Sequence, residues 1–191
     1  MAMGTAVREA AADGVVTFLW VLCVSTLGAS TAAVTTYLSL HEGIHYALLA
    51  AGAVGGALAI SELMPEQYKH MLGGPSLKVD PHTGAVAEGV LTFVITFAVL
   101  CIIVKGPRNP IVKTAMLSVS TVSLVLTGAA YTGPSMNPAN AFGWAYVNNL
   151  HNTWEQLYVY WICPFIGAIL AAWTFRAVFP PPAPKPKTKK A

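Results

Sequence analysis

The stretch TGPSMNPANAFGWA, residues 132–145, contains an Asn-Pro pair with the chemistry of a helix start. The side-chain oxygen of Asn137 can cap a first turn, and Pro138 suits the first helical position because it has no N–H group. Apolar sequence lies on both sides, so this helix would begin at membrane depth, where protein or water must satisfy its backbone. Its free N–H groups and the remaining NH₂ of Asn137 would suit a water oxygen and oppose a cation.

A second stretch whose residues could bind a metal or catalyse a reaction is HEGIH, residues 41–45, which matches the zinc pattern H-E-x-x-H. In that pattern two histidines on one helix face bind the metal and the glutamate acts as a base. Gly43 weakens the required helix, and the nearby candidates for a third ligand are His70, His82 and Glu88. The stretch therefore has two interpretations: the site of an intramembrane metalloprotease, or a polar loop that leads into an apolar segment. We predict no metal site and no catalytic residue.

Two acidic residues occur in a repeated heptapeptide, ADGVVTF at 12–18 and AEGVLTF at 87–93. In each copy a threonine follows the acid by four residues, which places Asp13 with Thr17 and Glu88 with Thr92 on one helix face. An acid in a membrane helix is expensive unless it faces protein or water, which favours a functional role for both. The alternative is a helix-start acid stabilised by the macrodipole. The duplication itself is typical of channels and transporters built from repeats.

The elements that must position these residues follow from the composition. The chain has 191 residues, of which 55% are hydrophobic and 10% charged, against roughly a quarter charged in soluble domains. Five segments are long and apolar enough to cross or nearly cross a bilayer, at residues 14–37, 44–60, 85–104, 111–130 and 157–179. We therefore predict an all-α, multi-pass protein of the lipid bilayer.

The two copies of the repeat differ in length. From Glu88 to residue 179 there are 92 residues, but from Asp13 to residue 60 there are 48, a deficit of about one spanning helix, a half-helix and their loops. We predict an incomplete first repeat at 1–60, an inter-repeat loop at 61–84 and a complete second repeat at 85–179. A Pro/Lys tail at 180–191 supplies most of the net charge of +3 and suits a cytosolic membrane face rather than a nucleic acid.

Several of these stretches together resemble the aquaporin (major intrinsic protein) superfamily: YTGPSMNPANAFG at 131–143, the doubled acid–Thr–Phe start, and SELMPEQYKHMLGGPSLKVD at 61–80. The segment HNTWEQLYVYW at 151–161 and the Pro/Lys tail resemble its plant branch of small basic intrinsic proteins. The resemblance implies a bundle of six spanning helices and two half-helices, assembled as a tetramer. This chain would keep five spanning helices and one re-entrant half-helix. The implied function is passive transport of water or small neutral solutes, without a cofactor.

The resemblance also implies roles for individual residues. The pore NPA motif would be Asn137, Pro138 and Ala139. Three of the family's four constriction positions would be Val125, Pro134 and Asn140. Water-selective members have His and Arg at the positions of Val125 and Asn140, so strict water selectivity is not expected. The first NPA motif and the fourth constriction position have no counterpart between residues 37 and 61.

Two functional hypotheses remain open for this short form. One is a channel that conducts poorly because its first NPA region is missing; the other is a non-conducting subunit that modulates full-length aquaporins within a homo- or hetero-tetramer. Lys187 and Lys189 have the spacing of lysine signals that return membrane proteins to the endoplasmic reticulum. The alternative is that they belong to a generic polybasic tail. Together with the resemblance, they predict residence in the endoplasmic reticulum membrane.

Overall fold

The computed structural model describes residues 42–69 and 72–180, and this part of the chain is helical, with no strand. We number its helices α1 Glu42–Leu63, α2 Glu66–Lys69, α3 Pro81–Lys105, α4 Pro110–Gly128, α5 Pro138–Val147 and α6 Trp154–Val178. Helices α3 and α6 each contain one π-helical turn, at Cys101–Lys105 and at Tyr158–Ile162. The predicted first span, its acid Asp13, and the tail lysines Lys187 and Lys189 lie outside the described residues.

Three helices are long and apolar enough to cross a membrane: α3 with 25 residues, α4 with 19 and α6 with 25. They coincide with the predicted spans at 85–104, 111–130 and 157–179, and the prediction of an all-α membrane protein is confirmed. The predicted span at 44–60 lies inside α1, which has 22 residues and is roughly 33 Å long at 1.5 Å per residue.

Helices α3, α4 and α5 share one kind of start, an acidic or amide side chain followed by proline. The pairs are Asp80-Pro81, Asn109-Pro110 and Asn137-Pro138, and in each the first side chain accepts a hydrogen bond from the backbone of the following turn. Proline at the next position leaves no N–H group there to satisfy. Hydrogen bonds from Thr83 hold the pKa of the Asp80 carboxyl below its usual value.

Because α3 begins at Pro81, before the apolar run, Glu88 lies inside the helix and not in its first turn. The alternative that Glu88 is a helix-start acid stabilised by the macrodipole is therefore wrong, since that effect fades within the first turn. What stabilises this acid must come from other parts of the chain.

Small residues bring α3 and α6 together. A Cβ atom at Gly167 of α6 would overlap the carbonyl oxygen of Gly89 in α3, so the two backbones are in direct contact. Farther along the pair, Phe97 and Phe175 pack edge to face with their ring centroids 6.1 Å apart. Close approach over small residues is the usual way for membrane helices to gain packing without a hydrophobic driving force.

Helix α1 packs along the short helix α5. A Cβ atom at Gly143 of α5 would lie 2.7 Å from the backbone of Ala53 in α1. In contrast, Gly52 and Gly56 of α1, which form a GxxxG pattern, have no atom of the described residues within 4 Å of an added Cβ. The contact between α1 and α5 therefore depends on glycine in α5 and not on the glycine pattern of α1.

Candidate functional site

Helix α5 begins with a compact cap. Asn137 has extended backbone angles, with φ of −151°, and its Oδ1 accepts from the N–H of Ala139 at 3.0 Å. Its carbonyl oxygen accepts from Ala141 at 3.1 Å, and Pro138 has no N–H group. Among the first four residues of α5, Asn140 is therefore the one whose backbone N–H group the cap does not use. With 10 residues, α5 is roughly 15 Å long, about half the hydrocarbon core.

The loop before this cap is held by the carboxylate of Glu88, which is fully buried. Its Oε1 accepts from the hydroxyl of Thr132 and the N–H of Ser135, each at 2.9 Å, and its Oε2 accepts from the N–H of Met136 at 3.0 Å. Three donors on two oxygens compensate for taking the acid out of water. Thr92, one turn farther along α3, is also buried, but its hydroxyl has no partner in the described part of the chain.

Two residues of this loop have a left-handed backbone conformation. Gly133 has φ of 52° and Met136 has φ of 49°, and the second is a conformation that a side chain makes unfavourable by about 1–2 kcal/mol. This conformation accompanies the hydrogen bond from Met136 to Glu88 and directly precedes the cap at Asn137. Such strain persists only where surrounding contacts determine the backbone, and the three bonds to Glu88 do so here.

A second set of contacts holds the carbonyl of Thr132. The hydroxyl of Tyr160 in α6 donates to this oxygen at 3.0 Å, and the N–H of Ser76 donates to it at 2.9 Å. Lys78 adds its backbone N–H to the Tyr131 carbonyl at 2.8 Å. Sequence reasoning missed these partners, although a tyrosine hydroxyl within an apolar span is a signal that a buried acceptor lies opposite.

The predicted constriction residues lie around the same loop. Pro134 is buried, and a Cβ atom at Gly128 would lie 2.6 Å from its ring, so loop and α4 are in contact there. Val125 is half-buried and lies one turn before Gly128 on the same face of α4. Asn140 donates from Nδ2 to the Ser135 hydroxyl at 3.2 Å, and that hydroxyl donates to the Asn137 carbonyl at 2.7 Å.

The H-E-x-x-H stretch has no supporting cluster in the described part of the chain. His41 lies outside it, and the backbone of residues 42–45 forms the start of α1. Among the described residues, no group of three histidine, cysteine or acidic side chains could hold a metal ion.

Comparison with known proteins assigns the chain to a family. The sequence model described as "Major intrinsic protein" matches residues 24–175, most of the chain. The chain belongs to this family. It is 68% identical over 242 residues to "Aquaporin SIP1-1" of Oryza sativa subsp. japonica, with 97% of this chain and 98% of that protein covered. It is 65% identical over 244 residues to "Aquaporin SIP1-2" of Zea mays, with both chains covered completely.

Membership in the major intrinsic protein family confirms the resemblance and the predicted class of function. The chain is an aquaporin-like membrane channel protein, and members of this family are channels that transport water or small solutes, not enzymes. The metalloprotease alternative is therefore not supported. The alignment with the Oryza protein spans 242 positions, whereas this chain has 191 residues, so at least 51 aligned positions have no residue here.

Proposed function

We propose that the chain forms a path for water or a small neutral solute at the start of α5, and that this path conducts water slowly. The observation that carries the proposal is the set of three hydrogen bonds from the loop to Glu88, which orients the cap. Asn137 is exposed and its oxygen is used by the cap, which leaves its NH₂ group to donate outward. The positive end of the helix dipole opposes cations at the same point.

The proposed constriction is uncharged. Val125, Pro134 and Asn140 carry no formal charge, whereas the resemblance implies His and Arg at two of these positions in water-selective members. Without a fixed positive charge, the exclusion of cations would depend on the dipole of α5 alone, which is equivalent to about half an elementary charge. We therefore expect weaker discrimination among small solutes than in a water-selective channel.

Within the described residues α5 is the single half-helix, and slow conduction follows from this. We propose that residues 1–60 form an incomplete first repeat, 61–84 the connecting loop, 85–179 the complete second repeat and 180–191 a cytosolic tail. The aligned positions that have no residue here support a segment missing from this chain relative to the Oryza protein. A second half-helix would bring a second asparagine amide to the middle of the path, and the family resemblance implies one. Helix α1 instead packs along the side of α5, with Ala53 against Gly143.

Assembly and location belong to the same proposal. Proteins of this family typically form tetramers, and we propose that this chain joins a homo- or hetero-tetramer of aquaporin-like subunits. We also propose that Lys187 and Lys189 retain it in the endoplasmic reticulum membrane, because their spacing is that of a receptor-read lysine signal.

The experiment that tests conduction is osmotic shrinkage of liposomes by stopped flow. We expect liposomes containing the protein to shrink at nearly the rate of protein-free liposomes, with little further change in Asn137→Ala. The matched control is Asn152→Ala, which changes an exposed asparagine outside the cap. Rapid shrinkage that Asn137→Ala abolishes and Asn152→Ala preserves would show an efficient pore and overturn the proposal of slow conduction.

A further inference from the structure

A cavity of about 340 Å³ lies between the loop at residues 73–77, the end of α5 and the start of α6. Its volume falls in the range of small-molecule sites. It is separate from the proposed path, because Val125, Pro134, Asn137 and Asn140 are not among its lining residues. Its polar lining includes Asn148, Thr153, Glu155, Gln156 and Tyr160.

The decisive lining residue is Gln156. This residue is 7% exposed, and its Nε2 is buried without a hydrogen-bond partner in the described part of the chain. Leaving a buried donor unsatisfied is unfavourable, and native proteins nearly always supply a partner. The terminal torsion of glutamine is broad, so the amide can turn toward an oxygen atom in the cavity while α6 stays in place.

The charge of the lining restricts the occupant. Among the described lining residues, Glu155 carries the one charged side chain, so an anion is disfavoured and a group that donates hydrogen bonds is favoured. Leu77 and Leu150 add apolar surface to the lining. A sugar ring has both features, because its hydroxyl groups accept and donate while its C–H faces are apolar.

We propose that this cavity binds a small neutral polyhydroxy compound of the sugar type, which accepts from Gln156 and donates to Glu155. Tyr160 in the wall donates to the carbonyl of Thr132, and the Thr132 hydroxyl donates to Glu88. Tyr160 thereby connects the lining of the cavity to the loop that precedes α5. Binding in this cavity is independent of conduction through the proposed path.

The chain contains two glutamines, Gln67 and Gln156, and this makes a direct test possible. Protein labelled with ¹⁵N at glutamine amides is held in phosphocholine micelles, because glucoside and maltoside detergents would themselves compete. Methyl glucoside is then titrated while the two side-chain amide pairs are followed by NMR. We expect a saturable shift of the Gln156 pair and none of the Gln67 pair, which is exposed on α2.

A variant and a second ligand complete the test. Glu155→Ala should weaken methyl glucoside binding about tenfold, as expected for one hydrogen bond to a charged group, whereas Glu66→Ala, an exposed acid outside the cavity, should leave it unchanged. A Gln156 pair that does not move, or moves no more than that of Gln67, would mean that the cavity holds water only. An equal shift with sodium acetate would refute the inference that the ligand is neutral. Either result overturns this proposal and leaves the conduction experiment unaffected.

Discussion

Replacing Glu88 by glutamine tests whether its carboxylate determines the loop before α5. The amide oxygen of Glu88→Gln can still accept from Thr132 and Ser135, as Oε1 does in the native protein. Its NH₂ group then takes the place of Oε2 and faces the N–H of Met136, so that two donors oppose each other.

The expected loss has two parts. One hydrogen bond to a charged group disappears, which costs about 1.5–3 kcal/mol, and a buried N–H is left unsatisfied, which costs about 1–3 kcal/mol. We therefore expect the free energy of unfolding to fall by about 3–5 kcal/mol. For a chain of this length, that corresponds to a melting temperature lower by roughly 6–20 °C, at about 2–4 °C for each kcal/mol.

The assay is thermal unfolding of the purified protein in detergent, followed by circular dichroism. Glu62→Gln is the matched control, because that glutamate is exposed on α1, and surface changes usually stay within about 0.5 kcal/mol. If Glu88→Gln melts within roughly 2 °C of the native protein, or if the control loses as much, the three hydrogen bonds do not determine the stability of the loop.

Three further predictions concern packing, pH and location. Gly143→Val should lower stability by about 1–3 kcal/mol in the same assay, because the added atoms overlap the backbone of α1, whereas valine at the open Gly73 should not; equal losses would contradict this packing. The pKa of Asp80 is lower in the folded protein than its usual value of 3.8. The contribution of its carboxylate to stability is therefore complete above pH 3.8 and is lost as the pH falls through the pKa of the folded state. Melting temperatures measured against pH should show this loss, and Asp80→Asn, which keeps the cap, should remove it. Replacing Lys187 and Lys189 by serine should let a fluorescent fusion leave the endoplasmic reticulum, and unchanged reticular fluorescence would show that retention has another cause.

Local features of this protein could be predicted from the sequence because their causes are local. The three long spans follow from apolar runs of about 20 residues, which a bilayer requires. The start of α5 follows from Asn137 and Pro138, whose side chains set the cap within a single turn. The same reasoning misplaced the start of α3, because Asp80 and Pro81 begin the helix before the apolar run.

The tertiary structure decided what Glu88 does. The repeat and its position in a span indicated that this acid faces protein or water, but its partners lie 44 to 48 residues away in the sequence. No local pattern specifies which backbone N–H groups a distant carboxylate meets, because that depends on how α3, α4 and the loop pack. The contact of α1 with α5 is of the same kind: Gly143 has a neighbour in Ala53, while the more conspicuous Gly52 and Gly56 have none among the described residues. Which small residue lies in a contact depends on the rotation of each helix about its axis, and packing against its neighbours sets that rotation.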